Sequence, residues 1–340
     1  MGFTITTRDA TAGERSGTVY TLADAACRAE VWPFAGFNSL RWQVRNPDGA
    51  WGDLLDTAPD WEANPIPTRS GHPVLFPFPN RLRDGRFTFG GRTFQLPLNE
   101  STGKHAIHGF TPRNPWRVVG TDAGQDHASI TGRFRLSQDL PSARGLWPAD
   151  FILTVTYRLT PTVLRVEAVV ENPDAGPLPF GLGYHPYFRI PAAPGASADE
   201  MVLSAAAGAL WEAEGGIPTG RKLPVPAEFD FRTPRAVGPT VLDTLLGELA
   251  APERRSGLVQ VATLGHKSAP GRLSVWVEPS FRELVLFTPP HRKAVAIEPY
   301  TCTSDAPNLA ARGVDSGWRV LPPGERWDGA VEYLWETDSR

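Results

Sequence analysis

Four short stretches place ionisable side chains in surroundings otherwise suited to turns or burial: Asn80-Arg81 after FPFP, His105 and His108 in HAIHGF, His185 in GLGYHPYFRI, and Glu298 in AIEPYTCTSDAPN. Carboxylates and imidazoles move protons near neutral pH when a fold brings them within reach of one molecule. Distance along the chain does not prevent that, because strands of one sheet meet from remote positions. Residue type alone leaves blander roles open: Glu298 as a strand-end carboxylate capping an N–H, His185 as a buried ring satisfied by the backbone. His105 and His108 invite a metal reading, but two histidines without a third ligand specify zinc poorly. PNRLRDGRF is basic and glycine-containing, yet it holds neither a Walker loop nor a dinucleotide-binding fingerprint.

The elements that must position these groups read as strands. In RFTFGGRTFQLPL, Gly90-Gly91 supplies positive φ at both centres of a tight turn, predicting a hairpin. FILTVTYRL alternates Phe151, Leu153, Val155, Tyr157 and Leu159 with more polar neighbours. PTVLRVEAVV does the same from Leu164, so Thr160-Pro161-Thr162 turns between two antiparallel strands. RLSVWVEP and RELVLFTP suggest a further strand pair around Pro279-Ser280, and AVAIEPY one more strand. The best helical candidate, Pro239 to Arg255, has an internal glycine and reads as a loop with a turn of helix. Pro191 to Glu200 is too short and isolated to serve as a domain linker. The expected architecture is one all-β unit of packed antiparallel sheets, its active groups on loops and strand ends.

Composition narrows the partners. Gly 33 and Pro 34 disfavour long helices, while 41% hydrophobic residues suffice for a large core. Lys and Arg total 34 against 37 Asp and Glu, a net charge of -3, so no global positive field gathers nucleic acid or acidic lipid. Two cysteines, Cys27 and Cys302, are too few for a disulfide scaffold. MGFTITTRDATAGERSG lacks the pattern of a secretory signal, and no later stretch is apolar enough to span a membrane. The expectation is a cytoplasmic, unanchored protein.

The stretch PVLFPFPNRLRDGRFTFGGRTFQLPLNE followed by HAIHGF resembles the aldose 1-epimerase, or mutarotase, family. GYHPYF and AIEPYTCTSDAPN resemble that family's later histidine and glutamate motifs, in the same order. The resemblance runs from roughly Ser16 to Glu332 of a single domain spanning 1–340. It implies a large antiparallel β-sandwich (supersandwich) of the galactose-mutarotase-like type, no cofactor, no metal, and a small-molecule aldose as partner, with oligomeric state left open.

By the same resemblance, Glu298 is the base that takes the anomeric hydroxyl proton, and His185 is the acid that protonates the ring oxygen. An imidazole near its ordinary pKa of about 6.5 would serve without a large shift. His108 and Arg81 are implied sugar ligands, as is Asp243 in VLDTLL; Asn80 holds Arg81 or meets substrate. Tyr184, Phe110 and Trp147 are candidates for an apolar wall against the sugar ring. Arg189 stands where a galactose-specific pattern commonly has asparagine, so the resemblance names the reaction without naming the sugar. Galactose and glucose are the expected substrates. A hexose 6-phosphate enzyme, with Arg189 or Arg292 receiving the phosphate, and a non-catalytic sugar-binding protein are the alternatives.

Overall fold

A computed structural model describes residues 2–46, 48–190, 197–250 and 253–337. Most of Pro191 to Glu200, considered above as a linker, therefore lies outside the described residues. Three antiparallel sheets carry the architecture. The largest runs in the order Arg117–Ala123, Ala128–Arg135, Ile152–Leu159, Val163–Glu171, Arg326–Glu336, Arg272–Val277, Leu258–His266, Met201–Ala205, Arg235–Ala236. The second runs Ile217–Pro224, Ala207–Glu214, Asp243–Leu249, Glu283–Phe287, Val295–Tyr300, Gly183–Tyr184, Val74–Leu75, with Tyr187–Phe188 also paired to Val295–Tyr300. The third joins five strands between Thr4 and Asp53.

Alternation explains how the large sheet meets the second. Leu153, Val155, Tyr157 and Leu159 are fully buried, and across the Thr160 turn Leu159 pairs with Leu164, whose own row continues through Val166 and Val170. A one-residue slip would turn this whole row outward, forfeiting about 1.5–3 kcal/mol for each large side chain. From the opposing sheet come Leu284, Leu286, Val295, Ile297 and Phe188, the last ring 5.1 Å from Tyr333. The expected hairpin forms over Arg86–Phe89 and Arg92–Gln95, with Gly90 and Gly91 at φ 55° and 74°.

Two expectations are corrected. Arg272–Val277 and Glu283–Phe287 do not pair; the turn at Pro279-Ser280 carries the chain from the large sheet to the second. Both strands are buried on both faces, so their composition is the same whichever sheet takes them. Within Pro239 to Arg255 the chain forms strand Asp243–Leu249, paired on one side with Glu283–Phe287 and on the other with Ala207–Glu214. Two ready partners outweigh a weak local preference. Among the described residues no helix is long and apolar enough to cross a membrane, and Cys27 and Cys302 are free, buried thiols.

Candidate active site

Period-two geometry sorts the motif residues by face. In Val295–Tyr300, Val295 and Ile297 point into the core, and Ala296, Glu298 and Tyr300 point to the other side of the sheet. In GYHPYF, Tyr184 and Phe188 face the core, and His185 and Tyr187 share the face that carries Glu298. The two motifs meet because Gly183 pairs with Tyr300 and Tyr187 with Ala296. Gly183 is required there: a Cβ would lie 2.4 Å from the Tyr300 ring.

The result is a buried acid–base pair. His185 Nε2 lies 3.3 Å from Glu298 Oε1, and the Tyr300 hydroxyl donates to Glu298 Oε2. The His185 ring stacks on Tyr187 at 4.6 Å and meets His108 edge-on at 5.6 Å. Its main-chain N–H is tied to Pro73 O at 3.0 Å.

His108 and Asn80 hold each other through two left-handed residues, φ 64° and 56°. The His108 N–H donates to Asn80 O at 2.9 Å, and the Asn80 N–H donates to His108 Nδ1 at 3.2 Å. Because Nδ1 accepts, a neutral His108 carries its hydrogen on Nε2, which makes the ring a donor. The Asn80 side-chain oxygen accepts from Arg81 N at 2.8 Å, and Arg81 is oriented by an ion pair with Glu100.

Burial governs the charge of this cluster. It pushes the Glu298 carboxyl well above the usual carboxylate range, Asp243 adding to the rise while Tyr300 and Arg81 oppose it. It pushes His185 down to about 3 and His108 well below the ordinary histidine value, with His185, Arg113 and Arg81 contributing. The expectation of an unshifted His185 is thus corrected, since an enclosed ring loses the hydration that stabilises imidazolium. Glu298 and His185 form a pair that holds one proton, and both shifts favour its neutral form. Tyr300 is the group that supports the carboxylate. Replacing it by Phe is expected to lower kcat roughly tenfold and to move the alkaline limb of the pH profile upward, because the pair then releases its last proton less readily. A pH series of turnover rates checks both changes.

Beside the pair opens a cleft of about 340 Å³. Asn80, Arg81, Glu212, Asp243, Thr244 and Ser304 are among its polar lining, and Trp211, Leu245, Val285 and Phe229 among its apolar wall. His185 and Glu298 are not on this wall. Register joins them to it, since Leu245, Val285 and Glu298 lie side by side across three strands. Asp243 opens its strand as an exposed carboxylate.

Trp211 is anchored from behind: its Nε1–H donates to Glu283 Oε2 at 2.8 Å. Glu283 is fully buried, and burial pushes its carboxyl up to about 7 from an ordinary 4.5. A raised carboxyl contributes stability below pH 4.5 that is lost as pH rises through 7. Glu283→Gln removes the ionisation and keeps an acceptor for Trp211. Between pH 5 and 8, denaturant titrations are expected to show the wild type losing up to about 3 kcal/mol relative to this variant.

Of the residues singled out from sequence, Glu298, His185, His108, Asn80, Arg81 and Asp243 gather around this cleft and its buried edge. Tyr184 and Phe110 do not. Tyr184 is fully buried in the core, its ring 5.0 Å from His72. Phe110 packs edge-on against Trp147 at 6.1 Å, and the Trp147 indole donates to Pro179 O at 2.9 Å. The motif lies beside the site, but strand alternation turns Tyr184 away from it. His105 accepts from Asp84 N at 3.1 Å, apart from His108. Arg189 lies 3.5 Å from Asp56 Oδ1, and Arg292 bonds Asp199 at 2.7 Å and the carbonyls of Gly238 and Thr240. Both arginines considered for phosphate are therefore already neutralised or hydrogen-bonded. Residues that sequence reading missed include Tyr187 and Tyr300, each two positions after its catalytic candidate; that spacing was the available signal. Trp211 and Glu283 carried none.

The family model for aldose 1-epimerase matches residues 19–334. A galactose mutarotase-like protein from Clostridium acetobutylicum shares the fold with a TM-score of 0.86 at 24% identity, 99% of each chain being covered. Galactose 1-epimerase from Lactobacillus acidophilus NCFM gives 0.75 at 18% identity, again over 99% of each chain. In sequence, the uncharacterized protein YihR of Escherichia coli K12 is 26% identical over 244 residues, 71% of this chain and 72% of that protein.

Proposed function

The chain belongs to the aldose 1-epimerase family, and from that premise we propose that it interconverts the α and β anomers of an aldohexose by opening and reclosing the pyranose ring. The observation that carries this reading is the 3.3 Å approach of His185 Nε2 to Glu298 Oε1 at the edge of a polar cleft. O1 and the ring oxygen sit on one carbon, less than two bond lengths apart. A base and an acid a few ångströms apart address both at once.

In the forward step Glu298, as carboxylate, takes the proton of O1–H. The O1 lone pair forms the aldehyde carbonyl, the C1 to ring-oxygen bond breaks with its electrons on the ring oxygen, and His185, as imidazolium, protonates that oxygen. Rotation about C1–C2 and reversal of both transfers close the other anomer. The pair carries one proton throughout. Ring opening converts carboxylate and imidazolium into acid and neutral imidazole, the form that burial favours, so the enclosed site pulls the opening step forward. His108 donates to the sugar near the ring oxygen, and Arg81 and Asp243 take its hydroxyls.

A sugar-binding protein without catalysis has no need of a coupled acid–base pair, and the geometry favours the enzyme. The test is magnetisation-exchange NMR on α-D-glucose and α-D-galactose. Acceleration of anomer exchange over the buffer rate supports the reading; binding without acceleration of any aldose overturns it.

A further inference from the structure

The segment that carries His185 is held from both sides. On one lies Val295–Tyr300 with Glu298. On the other lies the edge of the sheet, where Gly183 and Tyr184 pair with Leu75 and Val74, the His185 N–H donates to Pro73 O at 3.0 Å, and the Tyr187 N–H donates to Gly71 O at 3.0 Å. The stretch from Gly71 to Leu75 therefore sets where His185 stands relative to Glu298. Its strand, Val74–Leu75, is an edge strand of only two residues, and so short a ladder needs an anchor beyond its own pairing.

His72 is that anchor. It is fully buried, and its side chain enters the core toward two tyrosines of the large sheet. Nδ1 lies 3.0 Å from the Tyr157 hydroxyl and Nε2 2.9 Å from the Tyr333 hydroxyl. Those tyrosines stand on Ile152–Leu159 and Arg326–Glu336, the strands on either side of Val163–Glu171. The Tyr157 hydroxyl has one hydrogen and donates it to His72 O at 3.1 Å, so Nδ1 must donate to Tyr157 and Nε2 must accept from Tyr333. One tautomer in one orientation satisfies the whole ring. The His72 N–H donates to Asn38 Oδ1 at 2.7 Å, and the ring packs 5.0 Å from that of Tyr184, the residue before His185. Burial pulls His72 down to about 3, so the ring stays neutral and adds no proton to the acid–base pair.

An apolar side chain would fill this part of the core without calling for two hydroxyls, whereas a buried imidazole that requires both specifies a position. We propose that His72 is a positioning residue for ring opening: bracketed by Tyr157 and Tyr333, it fixes Gly71 and Pro73 against the large sheet and through them holds the His185 imidazole within reach of the sugar's ring oxygen. This rests on the assignment of His185 as the acid made above. The His72 ring lies on the core side of the sheet and His185 on the other, so the effect on rate passes through the backbone and Tyr184 rather than through contact with substrate.

The test uses three core variants. His72→Phe keeps a ring and loses both hydroxyl bonds, His72→Gln keeps an amide that can meet one hydroxyl, and Tyr333→Phe removes a single bond and serves where His72→Phe fails to fold. His72→Phe is expected to lower kcat for anomer exchange of D-glucose or D-galactose roughly 10- to 100-fold with KM changed less than about twofold, since a misplacement of about 1 Å suffices for such a loss while Arg81 and Asp243 still take the hydroxyls. Tyr333→Phe should show the same split with a smaller fall, and His72→Gln should recover part of the loss. Combination with His185→Asn separates positioning from general loosening: once the imidazole is gone, either core variant should lower kcat by less than about threefold further. Unchanged kcat in every core variant that folds, or an undiminished further loss in the His185→Asn background, overturns the inference while leaving the epimerase reading intact. If wild type exchanges no aldose faster than buffer, the epimerase reading fails, and NMR of the nitrogen-labelled histidine rings decides the positioning separately. His185 ring signals that move in Tyr333→Phe or His72→Gln support it, and signals unmoved in both overturn it.

Discussion

Glu298→Gln is expected to reduce kcat for anomer exchange by roughly 10³- to 10⁴-fold with a much smaller change in KM. The amide keeps the shape of the side chain and still accepts from the Tyr300 hydroxyl, so sugar binding survives while the proton acceptor for O1 is lost. Unfolding does not account for the expected loss. The buried Glu298 carboxyl has a raised proton affinity, so it contributes stability at low pH that disappears as pH rises through its titration. Gln has no such dependence, and the variant's melting temperature should match or exceed that of the wild type, the more so at higher pH. Exchange NMR and thermal melts on the same sample separate the two effects. Retention of kcat within about threefold would remove Glu298 from the mechanism.

His185→Asn is the second large effect, a fall in kcat of roughly 10²- to 10⁴-fold. Asparagine can donate to the ring oxygen but cannot transfer a proton to it. The wild-type profile should be bell-shaped. Its acid limb belongs to addition of a second proton to the pair, far below the ordinary histidine range because burial holds His185 down to about 3. Its alkaline limb belongs to loss of the last proton, above the ordinary carboxylate range because burial holds Glu298 up. His185→Asn should erase the alkaline limb and leave an acid limb at the titration of Glu298, because the remaining carboxylate has only to be free of its proton. The double variant should be little worse than the poorer single one, because the two residues act on one proton inventory. Additive losses in the double variant would show that they work on separate steps.

Much of this was legible in the chain. The strands from Phe151 to Val170 and the Gly90-Gly91 hairpin follow from period-two alternation and turn chemistry, because one side of each strand meets a different environment from the other. The ordered motifs around Arg81, His108, His185 and Glu298 pointed to the family that the match over residues 19–334 shows. Asp243 lines this cleft from a strand rather than from the loop or helical turn that its segment suggested, since Leu242 and Leu246 read equally well as a helical or a strand face until two neighbouring strands claim the backbone.

Where alternation vanishes, the sequence falls silent. All six residues of Val295–Tyr300 are buried, as are all six of Gly183–Phe188. Hydrophobicity therefore cannot say that Tyr184 turns to the core and His185 to the site, or that Tyr300 shares a face with Glu298. The same enclosure sets the protonation of the pair, and that depends on what every neighbouring segment excludes rather than on any local pattern. The sequence by itself determined the β-rich class, the strands with clear alternation and the residues capable of proton transfer. Which face each one occupies and where the shared proton rests were decided only by tertiary structure, because each depends on long-range pairing and on the water that packing removes.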